Sequence, residues 1–353
     1  MWAVLAPASA LYSGALAMRK RWWQSRAADA GVPVISVGNL TVGGNGKTPF
    51  TLFLASRMRA RGLAVAIISR GWGGTNETAA LVSDAKNILM SPRTAGDEPV
   101  MMAKSFVGPI AVARRRIEAA RLLSARGHFD AFILDDGFQH LRLHRDLDLI
   151  LINAARGFGN GWMLPAGPLR EPRRAISRAD AIVLIDSGGR RIPLLTAADL
   201  ALPEHLPAIH ASIRPRALVR ADDLGWHEYP LTLAERRIVA VSGLADAAGF
   251  HTMLGDLGAT LVTIFDFPDH HDYTPHDVEN ILSAARDADH IVTTEKDLVK
   301  LERFPLPDVS LYALRIEVSM DASDEARLFD LIATRMRPPR GSSFPGAASR
   351  TPN

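Results

Sequence analysis

The chain has 353 residues, 47% hydrophobic and 22% charged, a globular balance that excludes a wholly disordered protein and is long for a single core, so two domains are expected. It contains no cysteine, which excludes disulfides and thiolate metal sites and fits a reducing compartment. The net charge is only +3, yet basic residues cluster at Arg19-Lys20-Arg21, at Arg114-Arg115-Arg116 and from Arg170 to Arg174. Without interleaved aromatics or a nucleic-acid-binding module, these clusters read as solvated faces or as sites for acidic small molecules and anionic lipid head groups; no nucleic-acid partner is expected.

Met1 to Met18 carries no charged side chain, and Arg19-Lys20-Arg21-Trp22-Trp23 follows at once. A membrane-spanning helix needs about 20 apolar residues, and this stretch is shorter and diluted by Pro7, Ser9, Ser13 and Gly14. The positive charge comes after the apolar part, the reverse of an export signal. Indole rings beside cations suit the head-group region. The expectation is a helix over residues 1–23 that lies on a membrane surface; a true span and a helix packed on the protein are the alternatives.

Short β-branched runs follow at Val34–Val37, Ala64–Ser69, Ala131–Leu134, Leu147–Ile152 and Ala181–Ile185, with helical stretches between them such as Pro49–Arg61 and Arg116–Ala125. Apolar strands alternating with helices predict a mainly parallel sheet covered on both faces, an α/β fold. A second series at Ile238–Ser242, Leu261–Ile264, His290–Thr294 and Val309–Leu314, with helices near 245–256 and 276–288, predicts a smaller α/β unit. The expected organisation is a nucleotide-binding domain over 24–191, a connecting segment over 192–237, a C-terminal domain over 238–336 and a disordered tail over 337–353.

The chemistry is clearest in Thr41-Val42-Gly43-Gly44-Asn45-Gly46-Lys47-Thr48, which follows the first strand and opens a helix. Backbone N–H groups close around phosphates only where Cβ atoms are absent, and the helix N-terminus adds its positive end. Lys47 is placed to reach the β- and γ-phosphates of ATP and the Thr48 hydroxyl to ligate Mg²⁺. Pro49 is tolerated in a first helical turn. Thr41 stands where the usual phosphate loop has glycine.

The strand at Ala131 ends in Asp135-Asp136, at the carboxyl edge where open α/β sheets bind ligands; either carboxylate could face the metal, and a helix cap is the plain alternative. Gly96-Asp97-Glu98-Pro99 offers two carboxylates that pattern alone assigns to a turn or cap more often than to a base. Asp269-His270-His271-Asp272 leaves three readings open: a metal site, a base with its orienting partner, or a solvated turn.

Taken together and in order, these strings resemble the tetraacyldisaccharide 4′-kinase family of lipid A biosynthesis. The resemblance runs through Ser36 to Thr48, Ser69-Arg-Gly-Trp-Gly-Gly74, Gly96 to Pro99, Asp135-Asp-Gly-Phe-Gln-His140 and Gly157 to Trp162. It continues through Leu164 to Glu171, Pro268-Asp269-His270 and Thr293-Thr-Glu-Lys-Asp297. Threonine at position 41 suits that family's phosphate loop, whereas Trp72 stands where tyrosine is common.

The resemblance implies transfer of the γ-phosphate of ATP, with Mg²⁺, to the 4′-hydroxyl of an acylated glucosamine disaccharide 1-phosphate. It places the enzyme, as a monomer, on the cytoplasmic face of the bacterial inner membrane. It further implies that Asp97 activates the hydroxyl with His270 as its partner, and that Arg116, Arg170 and Glu171 handle nucleotide or substrate. The rival is a membrane-associated regulatory P-loop NTPase. A guanine-reading motif would need Asn where Glu295 stands.

Overall fold

The computed structural model describes residues 2–23, 26–188, 193–222, 225–305 and 310–336. The expected disordered tail, 337–353, lies outside the described residues. Among the described residues thirteen strands form one sheet. In chain order they are β1 (Val34–Asn39), β2 (Val65–Ser69), β3 (Ala80–Asp84), β4 (Pro109–Val112), β5 (Ala131–Asp135), β6 (Leu147–Asn153) and β7 (Ala181–Asp186). β8 (Ala208–Asp222), β9 (Gly225–Tyr229), β10 (Arg237–Ser242), β11 (Thr260–Asp266), β12 (His290–Thr294) and β13 (Leu311–Ser319) complete it. The spatial order is β11-β10-β12-β13-β8-β7-β6-β1-β5-β2-β4-β3, with β9 paired to β8.

Nine α-helices flank the sheet among the described residues: α1 (Trp2–Trp23), α2 (Lys47–Ala60), α3 (Pro92–Ala95), α4 (Asp97–Ser105), α5 (Arg116–Ser124), α6 (Ala248–Asp256), α7 (Pro275–Ala284), α8 (Glu295–Leu301) and α9 (Ala322–Arg335). Strands β1, β2, β5 and β6 are buried at every position, as parallel strands covered on both faces must be. Phe50, Leu54 and Met58 of α2 are fully buried in the central core with Ile35, Val37, Ile67 and Ile133. The helix read as Pro49–Arg61 begins two residues earlier, at Lys47, which leaves Pro49 within its first turn.

The segment expected to hold connecting strands and loops contains β8, 15 residues long. β8 pairs parallel with β7 through Ala208–Ser212, then antiparallel with β13 and β9. The two series of parallel strands are therefore joined edge to edge in one sheet. Pro215 sits in β8 where the register with β13 shifts between Arg315 and Ile316, the kind of irregularity that tolerates a missing N–H donor. Two short strands, β3 and β4, had no counterpart in the pattern of apolar runs; β4 has only four residues.

No helix among the described residues is long and apolar enough to cross a membrane, so α1 is not a span. Its inner face packs on the protein. Ser9 is buried and its hydroxyl donates to the Met163 carbonyl at 2.9 Å, while Tyr12 and Leu16 pack against the cluster of Leu40, Phe138 and Leu169. Arg19 donates to the Gln139 carbonyl and the Arg142 guanidinium lies over Trp23. The outer face leaves Leu11, Met18 and Trp22 exposed at 78%, 76% and 58%.

Candidate active site

β1 lies between β5 and β6, and its carboxyl end runs straight into the loop Thr41–Thr48. Gly46 caps α2 at φ 70°, a left-handed conformation that a side chain rarely adopts, and a Cβ there would approach Ile213 Cδ1 to 2.8 Å. The loop is braced from within: the Asn39 amide donates to the Thr41 carbonyl at 2.6 Å, and the Asn45 amide to the Gly43 carbonyl at 3.0 Å. The Thr41 hydroxyl donates to Asn45 Oδ1 at 3.3 Å, a bond glycine could not make, which gives the departure at position 41 a physical use. From outside, Val42 N–H donates to the Pro168 carbonyl and Arg170 N–H to the Leu40 carbonyl. The first turn of α2 has no acidic residue, so its N-terminal dipole is left for an anion. Val42 and Gly44 are exposed on this rim.

β5 pairs with β1 so that Asp135 stands opposite Val37. The two aspartates thus leave the sheet beside the loop. Asp136 takes φ 51°, which aspartate tolerates better than most residues at a cost of about 1 kcal/mol. Its carboxylate lies 3.8 Å from Lys47 Nζ and accepts from Arg170 Nη1 at 2.8 and 3.0 Å. Burial alone would raise this carboxyl, but Lys47 and Arg170 outweigh it and hold it below the usual carboxylate range. Asp135 goes the other way. Burial, then the charges of Glu98 and Asp136, push it well up, although the Thr51 hydroxyl donates to it at 3.2 Å.

A buried carboxylate raised by neighbouring negative charge is one that a nearby cation would return to its ionised form. Thr48, Asp135 and Asp136 offer hard oxygen atoms of the kind Mg²⁺ takes, since that ion binds one or two carboxylates and completes its shell with phosphate and water. Arg116 is 5% exposed; burial first, then the charge of Arg70, bring its guanidinium down to about 10, so it stays charged near the two aspartates. Glu171 is 7% exposed and sits in an ion pair. Both its oxygens accept from Arg178, at 2.6 and 2.9 Å, and that guanidinium covers Phe138.

Asp97 opens α4 and is 7% exposed. Gly96 before it has φ 92°, and a Cβ there would sit 2.3 Å from the Trp72 carbonyl, so the Ser69–Gly74 string holds Asp97 in place by backbone contact. His270 Nδ1 lies 3.1 Å from both Asp97 oxygens, and His270 has φ 61°. Burial would raise Asp97, but the bond from His270 and the charges of Lys296 and Lys300 hold it below its ordinary value. The Asp97 bond in turn raises His270.

The loop read three ways in the sequence sends its side chains to partners on several elements. Asp269 binds Lys296 at 2.5 Å, His270 binds Asp97, His271 stacks on Phe267 and meets Asp277 at 3.1 Å, and Asp272 binds Arg303. The His270–Asp97 contact has the form of a base with its partner, and among the described residues no three or more His, Asp or Glu side chains gather as a metal site.

Pattern reasoning gave no role to Lys296, Lys300 or Thr51, and none to Glu98 beyond a turn, cap or base shared with Asp97. Lys300 Nζ lies 3.5 Å from Asp97 and Lys296 Nζ 3.8 Å from Glu98. A signal was present: two lysines four apart on a short helix directly after a strand share one face.

A family model described as tetraacyldisaccharide-1-P 4′-kinase matches residues 1–337. The chain belongs to this family. Among relatives, the tetraacyldisaccharide 4′-kinase of Anaeromyxobacter sp. (strain Fw109-5) is 40% identical over 305 residues, covering 83% of this chain and 80% of the relative. That of Geobacter sulfurreducens is 43% identical over 290 residues, covering 81% and 79%. A crystal structure of the family's Aquifex aeolicus member, LpxK, in complex with ATP aligns with TM-score 0.77 and 32% identity, covering 95% of this chain and 99% of that one. The family's members are kinases, and this chain is one by fold and by sequence.

Proposed function

We propose that this chain transfers the γ-phosphate of ATP to the 4′-hydroxyl of a tetraacylated glucosamine disaccharide 1-phosphate, forming the 1,4′-bisphosphate. It works as a monomer at the cytoplasmic face of the bacterial inner membrane. One observation carries the proposal: the Asp97–His270 pair is assembled from distant parts of the chain, and Glu98 beside it lies close enough to Asp135 to raise that carboxyl next to the phosphate loop. A proton acceptor and a phosphate-binding loop then belong to one site.

The loop Thr41–Thr48 and the α2 N-terminus bind the phosphates through backbone N–H groups. Lys47 and Arg170 bring positive charge against the phosphoryl group being transferred, the main demand of this chemistry. Mg²⁺, held by Thr48, Asp135 and Asp136, would supply charge neutralisation on the phosphate oxygens. Asp97 takes the acceptor's hydroxyl proton, oriented by His270.

Residues 24–191 form the nucleotide-binding part and 238–336 the smaller part that delivers His270. The outer face of α1, with Leu11, Met18 and Trp22, rests in the head-group layer, where the tetraacylated disaccharide can be met without leaving the bilayer. The test is incubation with [γ-³²P]ATP and the tetraacyl disaccharide 1-phosphate, followed by locating the new phosphate. Label on the 4′-oxygen is expected, and hydrolysis to inorganic phosphate without transfer would overturn the proposal.

A further inference from the structure

α8 carries Lys296 and Lys300 one turn apart, with side chains only 11% and 8% exposed. Lys300 is fully occupied: its ammonium donates to the His271 carbonyl at 2.8 Å and lies near Asp297 and Asp97. Lys296 is tied to Asp269 at 2.5 Å and to Glu98 at 3.8 Å, and its Nζ stands 3.4 Å from His270 Nε2. The imidazole is therefore held between a carboxylate on one nitrogen and an ammonium on the other.

An ammonium offers only donors and an ionised carboxylate only acceptors. One neutral tautomer satisfies both: the hydrogen on Nδ1, donated to Asp97, and the lone pair on Nε2, facing Lys296. We infer that Lys296 is a positioning residue that fixes this tautomer of His270 and so directs the His270 N–H at Asp97. The inference rests on reading Asp97 as the proton acceptor of the reaction. The opposite tautomer would set an N–H against the ammonium and a bare nitrogen against the carboxylate, losing both contacts. The imidazolium would keep the Asp97 bond but press its second N–H against Lys296.

The charged groups facing His270 are Asp97 and Glu98 from α4, Asp269 from its own loop, and Lys296 from α8, with Lys300 behind Asp97. His271 is turned away to Asp277. Asp97 raises the ring's affinity for a second proton; burial and Lys296 oppose it. With Lys296 gone, the opposition weakens and the imidazolium forms at higher pH.

The experiment is ¹⁵N NMR of the full-length histidine-labelled protein, with His270 assigned by loss of its signals in His270→Gln. In the wild type, neutral His270 is expected to carry hydrogen on Nδ1 and none on Nε2. In Lys296→Met its titration midpoint should rise by about one pH unit, as expected for removing a like charge at this range. The acidic limb of the kcat profile should move with it while KM for ATP stays within about twofold. Lys296→Arg, which keeps a donor-only cation, should hold the midpoint near the wild-type value. An Nε2–H tautomer in the wild type overturns the inference, and so does an unmoved midpoint in Lys296→Met. If Lys296→Met does not fold, the wild-type tautomer decides alone. Full turnover in Asp97→Asn would instead remove Asp97 as proton acceptor while leaving the tautomer result intact.

Discussion

His270 Nδ1 stands 3.1 Å from both oxygens of Asp97, although 173 residues separate them in the chain. Groups that act as one unit do not add. Asp97→Ala and His270→Ala should each lower kcat by about 10²-fold or more, with ATP affinity little changed. The double variant should be scarcely worse than the poorer single one. Steady-state kinetics with ATP binding by calorimetry measures this, and independent, multiplying losses would mean that the two residues work apart.

Lys47 has Asp136 as its ion-pair partner, and Asp136 keeps Arg170 if Lys47 is removed. Lys47→Ala should therefore fold normally, by circular dichroism, yet lose about 10²–10³ in kcat because a charge is withdrawn from the transition state. Activity within tenfold of the wild type would remove the phosphate-loop role.

Asp97 and His270 also link stability to pH. Asp97 is held below its ordinary 3.8, so its contribution is present above that value and is lost as pH falls through the lowered one. His270 is held above its ordinary 6.5, so its contribution is present below 6.5 and is lost as pH rises through the raised one. Both are in force together between 3.8 and 6.5. The Tm difference between wild type and Asp97→Asn should be largest inside that window and shrink on either side. A difference flat from pH 3 to 9 would show that the pair does not titrate as described.

Gly96 is locked by φ 92° and by the Trp72 carbonyl. Gly96→Ala must shift one of the two chains, at a cost of about 1–3 kcal/mol, and the shift moves Asp97. The expected outcome is a lower Tm and a fall in kcat exceeding the change in KM for ATP. Unaltered kcat would mean that Asp97 is positioned by something else.

For the N-terminal helix, point changes are a better test than deletion, because Ser9, Tyr12 and Leu16 pack on the protein and removing them would open a core. The triple variant Leu11→Gln, Met18→Gln, Trp22→Gln changes only the outer face. Each loses roughly 1.5–3 kcal/mol of apolar burial in a bilayer interface, so binding to anionic vesicles should fall by at least about tenfold. Turnover of detergent-dispersed acceptor should change far less. Undiminished vesicle binding would place the membrane contact elsewhere.

The phosphate loop and the aspartates after β5 were legible in the sequence because their geometry is local. A buried strand, a glycine-rich turn and a helix N-terminus place contiguous residues, and a strand's last residue falls at the sheet edge whatever surrounds it. The parallel sheet was legible for the same reason, as runs of β-branched residues between helices. The extent and partners of β8 were not, since a half-exposed strand with a proline and alternating charges reads as one of several connecting strands and loops until β7, β9 and β13 supply its partners. The site's second half was decided by tertiary structure alone. Four consecutive residues, Asp269 to Asp272, carry no sign of which will reach Asp97, Lys296, Asp277 or Arg303. Asp97 after a glycine reads as a cap or turn more often than as a base. Their roles depend on how α4 and α8 dock, where Lys104 pairs with Glu302 and Arg315 joins Glu295 to Ser105. Charges from distant segments meet there, and sequence spacing cannot encode a distance that only packing fixes.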